Sequence, residues 1–217
     1  CQLHTALCRD ILGLRPSAVI GYSSGETNAL LATGAWRDLD ALYDDTHACG
    51  LFDDRLGGRF TAVAEAWGEA QADWSVWSVM ADEAELASLL ADEPRVHIAI
   101  RHTAGDLVIA GETARCEHVL HSLSGRSRPL DYNLAVHVPE LSVVSAEWLD
   151  LHRRPTFPVD GVRFYSAATA APYVPDTESA ARAIHDQAIT TLDLPAVIER
   201  AYADGVRVFV EHGPQAI

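Results

Sequence analysis

The sequence predicts an α/β domain that carries a smaller α+β block inside it. Three observations predict this class. A short apolar run, Ala18-Val19-Ile20, leads at once into Gly21-Tyr22-Ser23-Ser24-Gly25 and then into a helical pattern from Glu26 to Ala35, the order strand, tight turn, helix. β-rich and helical runs alternate compactly across roughly residues 60–128. The chain has 217 residues, 48% hydrophobic and 22% charged. That is enough to bury about 70% of the unfolded surface in one large domain with no disulfide or metal staple.

The elements follow in chain order. Residues 2–12 place Leu3, Ala6, Leu7 and Ile11 at helical spacing, and Leu14-Arg15-Pro16 closes that helix because proline disfavours helix at the residue before it. Ala18–Ile20 reads as a buried strand, and residues 37–49 as an amphipathic helix. Gly57-Gly58 marks a boundary. Beyond it, residues 60–64 and 74–80 read as strands and residues 82–90 as an acidic-faced helix. Residues 96–100 and 107–110 frame a His-Thr-Ala-Gly-Asp turn and read as a hairpin. Residues 113–123 read as a helix, and Gly125 to Pro129 as a linker. Residues 130–135 then form a strand leading to His137, residues 139–152 a helix, and residues 162–166 a strand. Residues 179–202 are mostly helical, and residues 206–210 are a last strand.

Charge and cysteine usage narrow the function classes. The formal net charge is −15, and a surface this acidic repels phosphate backbones and anionic lipid, which argues against nucleic acid and membrane as partners. No run of 18 apolar residues is present. The four cysteines, Cys1, Cys8, Cys49 and Cys116, are too sparse for a disulfide scaffold and form no C-x-x-C pair. They read as reduced thiols of a cytoplasmic protein. The first residues, Cys-Gln-Leu, begin mid-helix in pattern and without Met, the expected look of a piece of a longer protein.

Gly21-Tyr22-Ser23-Ser24-Gly25 matches G-x-S-x-G in the context that gives it meaning, an apolar strand before and a helix after. There the serine hydroxyl projects at a helix N-terminus, where backbone N–H groups and the dipole favour a developing oxyanion. The Ser24 amide is one expected donor, and Ser23 the expected nucleophile. The bland alternative is a plain turn rich in small residues. A serine needs a base, and of ten histidines His137 stands out. It closes a strand-like stretch just before Pro139, and catalytic residues of open α/β sheets gather at such ends. His47, His97, His102, His152 and His185 read as surface or satisfied core residues. Cys116, His118 and His121 share one helix, but structural zinc wants four ligands and no second cluster accompanies them. No metal is expected.

Taken together, Gly21–Glu26, Gly34-Ala35, the run Val96 to Gly111, Arg128-Pro129-Leu130 with Asp131 to Pro139, Phe164-Tyr165-Ser166 and Phe209-Val210-Glu211-His212-Gly213-Pro214 resemble the acyltransferase domains of polyketide and fatty acid synthases. Those domains are related to malonyl-CoA:ACP transacylases. The similarity runs over nearly the whole chain in the right order, and Ser-Ser-Gly-Glu-Thr-Asn-Ala-Leu with Gly-Ala-Trp looks closest to iterative synthases of the polyunsaturated-fatty-acid and enediyne kind. The resemblance implies an α/β-hydrolase-like core, a parallel sheet with flanking helices over residues 1–59 and 129–217. It also implies a ferredoxin-like insert over 60–128 and a core whose N-terminal part is missing from this chain. It implies a Ser23–His137 dyad in the cleft between them, with a backbone carbonyl rather than a carboxylate orienting the histidine. It implies acyl-CoA as substrate and the phosphopantetheine arm of an acyl carrier protein as acceptor. No bound cofactor is implied. The expected partners are neighbouring synthase domains, a ketosynthase upstream among them.

This sequence departs from the family pattern at four places. The family's opening glutamine segment, which gives a second oxyanion amide, is absent, so these residues alone are expected to be poorly active. Spacing from Ser23 puts Ala48 where the family has an arginine that pairs with a malonyl carboxylate. Leu134-Ala135-Val136 before the histidine matches neither common specificity string, and Val136 is smaller than the aromatic residue that narrows malonyl pockets. Tyr22 replaces the elbow histidine, and Val138 replaces the serine after the base. Ala48, Leu134, Ala135 and Val136 are therefore the expected substrate-binding positions. They favour a non-carboxylated acyl group over malonyl, unless Arg55, Arg59 or Arg101 reaches the pocket. Two rivals remain. A serine esterase or thioesterase would want an acid behind the base, and a silent scaffold domain of the same fold would need neither dyad member.

Overall fold

The computed structural model describes residues 2–213; Cys1 and the Pro214 of the closing motif lie outside the described residues. The chain opens with a short helix, α1 (Gln2–Ala6), that widens into a π-helical turn over Leu7–Ile11. Strand β1 (Ala18–Ile20) follows, then α2 (Gly25–Thr33) and α3 (Leu39–Ala48). Helix α2 stops at Gly34, whose φ of 82° is the left-handed conformation glycine adopts without cost. Asp38 caps α3 by accepting from the Ala41 N–H at 2.9 Å.

Residues 60–64 do not form the expected strand. They open helix α4 (Thr61–Trp67). A short apolar run fits a buried helix as well as a strand, and here Ala62, Val63 and Ala64 are all buried from one turn of helix. The next elements run β2 (Trp74–Met80), α5 (Glu83–Leu90), β3 (Val96–Thr103), β4 (Asp106–Glu112), α6 (Thr113–Ser122) and β5 (Arg126–Pro129). Their sheet order is β5-β2-β4-β3 with antiparallel neighbours. This is the β-α-β-β-α-β split arrangement of ferredoxin-like folds. The segment read as a linker is thus its fourth strand. It is exposed along its length, so it carries no apolar alternation to betray it.

After β5 come a 3₁₀ turn over Pro139–Val144, α7 (Ser145–His152), β6 (Arg163–Ser166), β7 (Ala171–Tyr173), α8 (Thr177–Ile189), β8 (Leu192–Asp193) and α9 (Leu194–Ala203). β1 and β6 pair in parallel, and β7 adds an antiparallel edge. The sheet of the larger half is therefore a parallel pair with one antiparallel strand. Two further expectations fail. Residues 130–135 form a loop, because their polar groups make scattered single bonds, to β2 and to Leu56, and build no ladder. Leu130 N donates to Val76 O, Ala135 N to Leu56 O, and the Asn133 side chain to Trp74 O. Residues 206–210 pair with no strand among the described residues, and Val208 is 79% exposed.

Four apolar clusters hold these layers among the described residues, the smallest being Tyr165, Val197 and Ala201, which packs α9 on the sheet of the larger half. Leu30, Trp36, Leu51, Leu56, Leu141, Trp148 and Phe164 form the core of the larger half. Val79, Leu86, Leu107, Ile109 and Val119 seal α5 and α6 on one face of the small sheet. The other face, with Trp74, Val76, Ala99, Val108 and Ala110, packs against Phe60, Val63, Ala135 and Val138. Fully burying one Val, Leu, Ile or Phe side chain contributes roughly 1.5–3 kcal/mol. This last cluster joins the two halves and sets the small sheet directly beside the segment that carries His137.

Candidate active site

Ser23 sits between β1 and α2 with φ of 53°, a left-handed conformation that costs a non-glycine residue energy and must be held by its surroundings. The turn is held by Gly25 N donating to Tyr22 O at 2.7 Å and Glu26 N to Ser23 O at 3.1 Å. Gly21 is required by space, since a Cβ there would lie 2.2 Å from the Glu26 Cα. Gly25 is not, since its Cβ would meet only the Tyr22 Cβ at 3.9 Å. The Ser24 amide, at the start of α2, makes no hydrogen bond among the described residues.

His137 arrives from the other side of the cleft, also with positive φ, 62°. Its backbone N–H and that of Val138 both donate to Ala188 O, at 2.7 and 3.2 Å. Its ring is buried, and Nδ1 lies 2.6 Å from the Gln187 carbonyl oxygen. A carbonyl only accepts, so Nδ1 carries the proton and the Nε2 lone pair faces the Ser23 hydroxyl, 2.9 Å away. Burial holds the ring's pKa below its usual value, with the Gln187 carbonyl acting partly against it. At neutral pH the imidazole is an uncharged base poised on a hydroxyl.

Gln187 is the residue that local pattern missed. Its side-chain Nε2 donates to the Ser23 carbonyl at 3.0 Å, so it supports the serine as well as the histidine. Nothing in the sequence around it signals this, since it is one buried position on the amphipathic helix α8. Glu26, the acid after the elbow, is buried and accepts from the Tyr173 hydroxyl at 3.0 Å. Burial pushes its carboxyl up to about 8, against the hydrogen bonds from Tyr173 and the Ala167 backbone.

A cavity of about 190 Å³ opens over the pair. Its walls are Val76, Ala99, Ile100, Val108 and Ala110 from the small sheet, and Leu130, Tyr132, Leu134 and Val136 from the loop before His137. Tyr22 and His102 complete it. Of the four expected substrate positions, Leu134 and Val136 line this cavity. Ala135 turns away into the cluster between the halves. Ala48 is not in the site. It is exposed at the end of α3, about 1.7 turns beyond Leu42, the residue that α3 buries. The three arginines held in reserve do not reach the cavity either. Arg55 pairs with Glu65 at 2.8 Å, Arg59 with Asp54, and Arg101 with Glu83 at 2.6 Å. His118 and His121 lie on α6, where His121 Nδ1 turns back to the Glu117 carbonyl. Among the described residues no three potential ligands cluster to hold a metal, and no helix is long and apolar enough to cross a membrane.

No family model matches the chain. It is 24% identical over 229 residues to a polyunsaturated fatty acid synthase protein of Thraustochytrium sp., an alignment covering 97% of this chain and 11% of that protein. The chain thus spans about a tenth of that relative's length. Its fold matches the malonyl CoA-acyl carrier protein transacylase of Coxiella burnetii with a TM-score of 0.75, at 17% identity, over 99% of this chain and 66% of that one. It matches the acyltransferase domain of the iterative polyketide synthase in enediyne biosynthesis with a TM-score of 0.64, at 24% identity, over 91% and 50% of the two chains. The fold is that of the transacylases and synthase acyltransferase domains, and the sequence is similar to the polyunsaturated fatty acid synthase protein along nearly all of its length.

Proposed function

We propose that this chain is an acyltransferase domain of a polyketide or fatty acid synthase, moving an acyl group from acyl-CoA to an acyl carrier protein. One observation carries the reading: Ser23 Oγ at 2.9 Å from His137 Nε2, with the far ring nitrogen on a backbone carbonyl. In the first half-reaction the Ser23 hydroxyl attacks the thioester carbonyl carbon as His137 Nε2 takes its proton. The Ser24 N–H, at the positive end of α2, is placed for the oxyanion; one such donor is worth about 10²–10³ in rate. Collapse breaks the C–S bond, and the departing CoA sulfur takes the proton from His137. In the second half the phosphopantetheine thiol of the carrier protein gives its proton to His137, attacks the acyl-serine, and leaves Ser23 protonated again.

No bound cofactor is needed, since CoA is a substrate and the pantetheine arm an acceptor. The carrier protein and neighbouring synthase domains are the partners, in the cytoplasm where CoA thioesters and reduced thiols persist. The small insert that closes the cleft runs from β2 to β5, residues 74–129, while α4 stays with the larger half. A hydrolase reading is disfavoured because the group behind His137 is a carbonyl, not a carboxylate.

The test is intact mass after incubation with acyl-CoA thioesters, then addition of carrier protein. The native protein gains one acyl mass and passes it on. Ser23→Ala gains none, and His137→Ala gains it several orders of magnitude more slowly, because the two act as a unit. Equal labelling of Ser23→Ala would end the nucleophile assignment, and release of free acid in place of transfer would favour the hydrolase.

A further inference from the structure

The cavity contains a chain of polar groups that the Ser23–His137 pair does not use. The Tyr22 phenol, one residue before the nucleophile, hydrogen-bonds to His102 Nε2 on β3. His102 Nδ1 faces Asp106 Oδ1 on β4 at 3.3 Å. An ionised carboxylate only accepts, so Nδ1 carries a proton, and Nε2 shares its hydrogen bond with the phenol. Burial and the Asp106 charge push the Tyr22 hydroxyl up to about 12, so it stays protonated. Both ring nitrogens of His102 are therefore engaged. The chain runs from the elbow of the larger half to the hairpin of the smaller one.

An acyl group with a free carboxylate needs a cation where it is buried, because an unpaired buried charge is costly. The sequence contains no lysine, so only arginine or histidine could supply one. No arginine lines the cavity among the described residues. His137 is kept uncharged by burial. His102 is engaged on both sides, with the Asp106 carboxylate behind it repelling a second negative charge. A hydrocarbon chain would instead meet Val76, Ala99, Ile100, Val108 and Leu134.

We propose that this cavity takes acyl groups without a free carboxylate, acetyl or a longer hydrocarbon chain, and that Tyr22–His102–Asp106 is its specificity-determining element. This rests on the transacylase reading above. His102 closes the polar end of the cavity and offers an incoming carboxylate no free donor, with the Asp106 carboxylate behind it. Replacing it with a cation should convert the preference.

The experiment compares kcat/KM for acetyl-, hexanoyl- and malonyl-CoA, read as acyl mass on Ser23 and as transfer to carrier protein, using the full-length protein. The native protein is expected to favour acetyl- or hexanoyl-CoA over malonyl-CoA at least tenfold. His102→Arg and His102→Lys are each expected to move the malonyl-to-acetyl ratio at least tenfold toward malonyl; two variants guard against one that misfolds. A malonyl preference in the native protein, or any smaller discrimination, overturns the substrate class while leaving the transacylase reading intact. An unchanged ratio in both variants overturns the role given to His102. Folded native protein that gains no acyl mass from any of the three overturns the transacylase reading, and this inference with it.

Discussion

The carbonyl oxygen of Gln187 lies 2.6 Å from Nδ1 of His137 and fixes which ring nitrogen carries the proton. The same residue reaches Ser23 through its side chain, donating to the serine carbonyl at 3.0 Å. Helix α8 thus holds both members of the pair, one by main chain and one by side chain. Gln187→Ala should leave the histidine contact in place but remove one of the two donors to the Ser23 carbonyl, the Glu26 N–H remaining, at a cost of about 0.5–1.5 kcal/mol. The expected outcome is a melting temperature lower by several degrees and a reduced kcat with KM little changed. Thermal melts and steady-state kinetics check it, and a KM-only effect would contradict the positioning role.

The buried, uncharged His137 sets the acid limb of activity. Its pKa is held below the ordinary histidine value by burial, so the base stays deprotonated to more acid pH than a free imidazole. The pH profile of kcat/KM for acylation should therefore fall off with a midpoint below about 6.5. A midpoint at or above that value would mean that the ring is more solvated or more strongly paired than its burial shows.

Glu26 gives the opposite pH signature in stability. Its folded-state pKa, about 8, lies above the ordinary carboxyl value, so the folded state binds the proton more tightly than the unfolded chain. That contribution is fully present below the ordinary carboxyl range and is lost as pH rises through about 8. Glu26→Gln keeps an acceptor for the Tyr173 hydroxyl and removes the titration. The variant should match the native protein in melting temperature near pH 5 and exceed it near pH 9. A variant less stable at both pH values would show that the charge itself is needed.

Gly21→Ala should collapse the elbow. The added Cβ would sit 2.2 Å from the Glu26 Cα and 2.3 Å from its nitrogen, and backbone at that distance cannot yield as a side chain can. Overpacking commonly costs about 1–3 kcal/mol, and here the strain falls on the turn that aims Ser23. Acylation should drop by orders of magnitude, while Gly25→Ala, whose Cβ has room, should lose far less. Intact-mass labelling of the two variants side by side decides it.

Legibility in the sequence followed locality. The elbow was readable because strand, turn and helix are neighbours in the chain. β2 was readable because Trp74, Val76, Trp77 and Val79 stand close together. His137 was readable as the end of a segment, although that segment is a loop. What was not readable depended on partners far away. Residues 61–67 and 126–129 carry no periodicity that separates helix from strand or strand from linker, and packing decided both. Ala48 was placed by counting from Ser23, and counting cannot see which face a helix turns inward. Gln187 and His102 owe their positions to contacts 164 and 80 residues distant. No short window holds that information.

Two residues after α8 leave the larger half and join the smaller one. Leu192 and Asp193 form β8 beside β3, and the Thr191 hydroxyl donates to the Ile98 carbonyl. Only a few residues separate this seam from Gln187 and Ala188, which grip His137. The small sheet is therefore stitched to the backbone that aims the base, and is more than a lid hung from two hinges. For anyone swapping pieces between synthases, a cassette cut at 74–129 would leave a foreign strand facing β8. A graft that keeps the base in register has to carry Thr191, Leu192 and Asp193 along with the sheet they border.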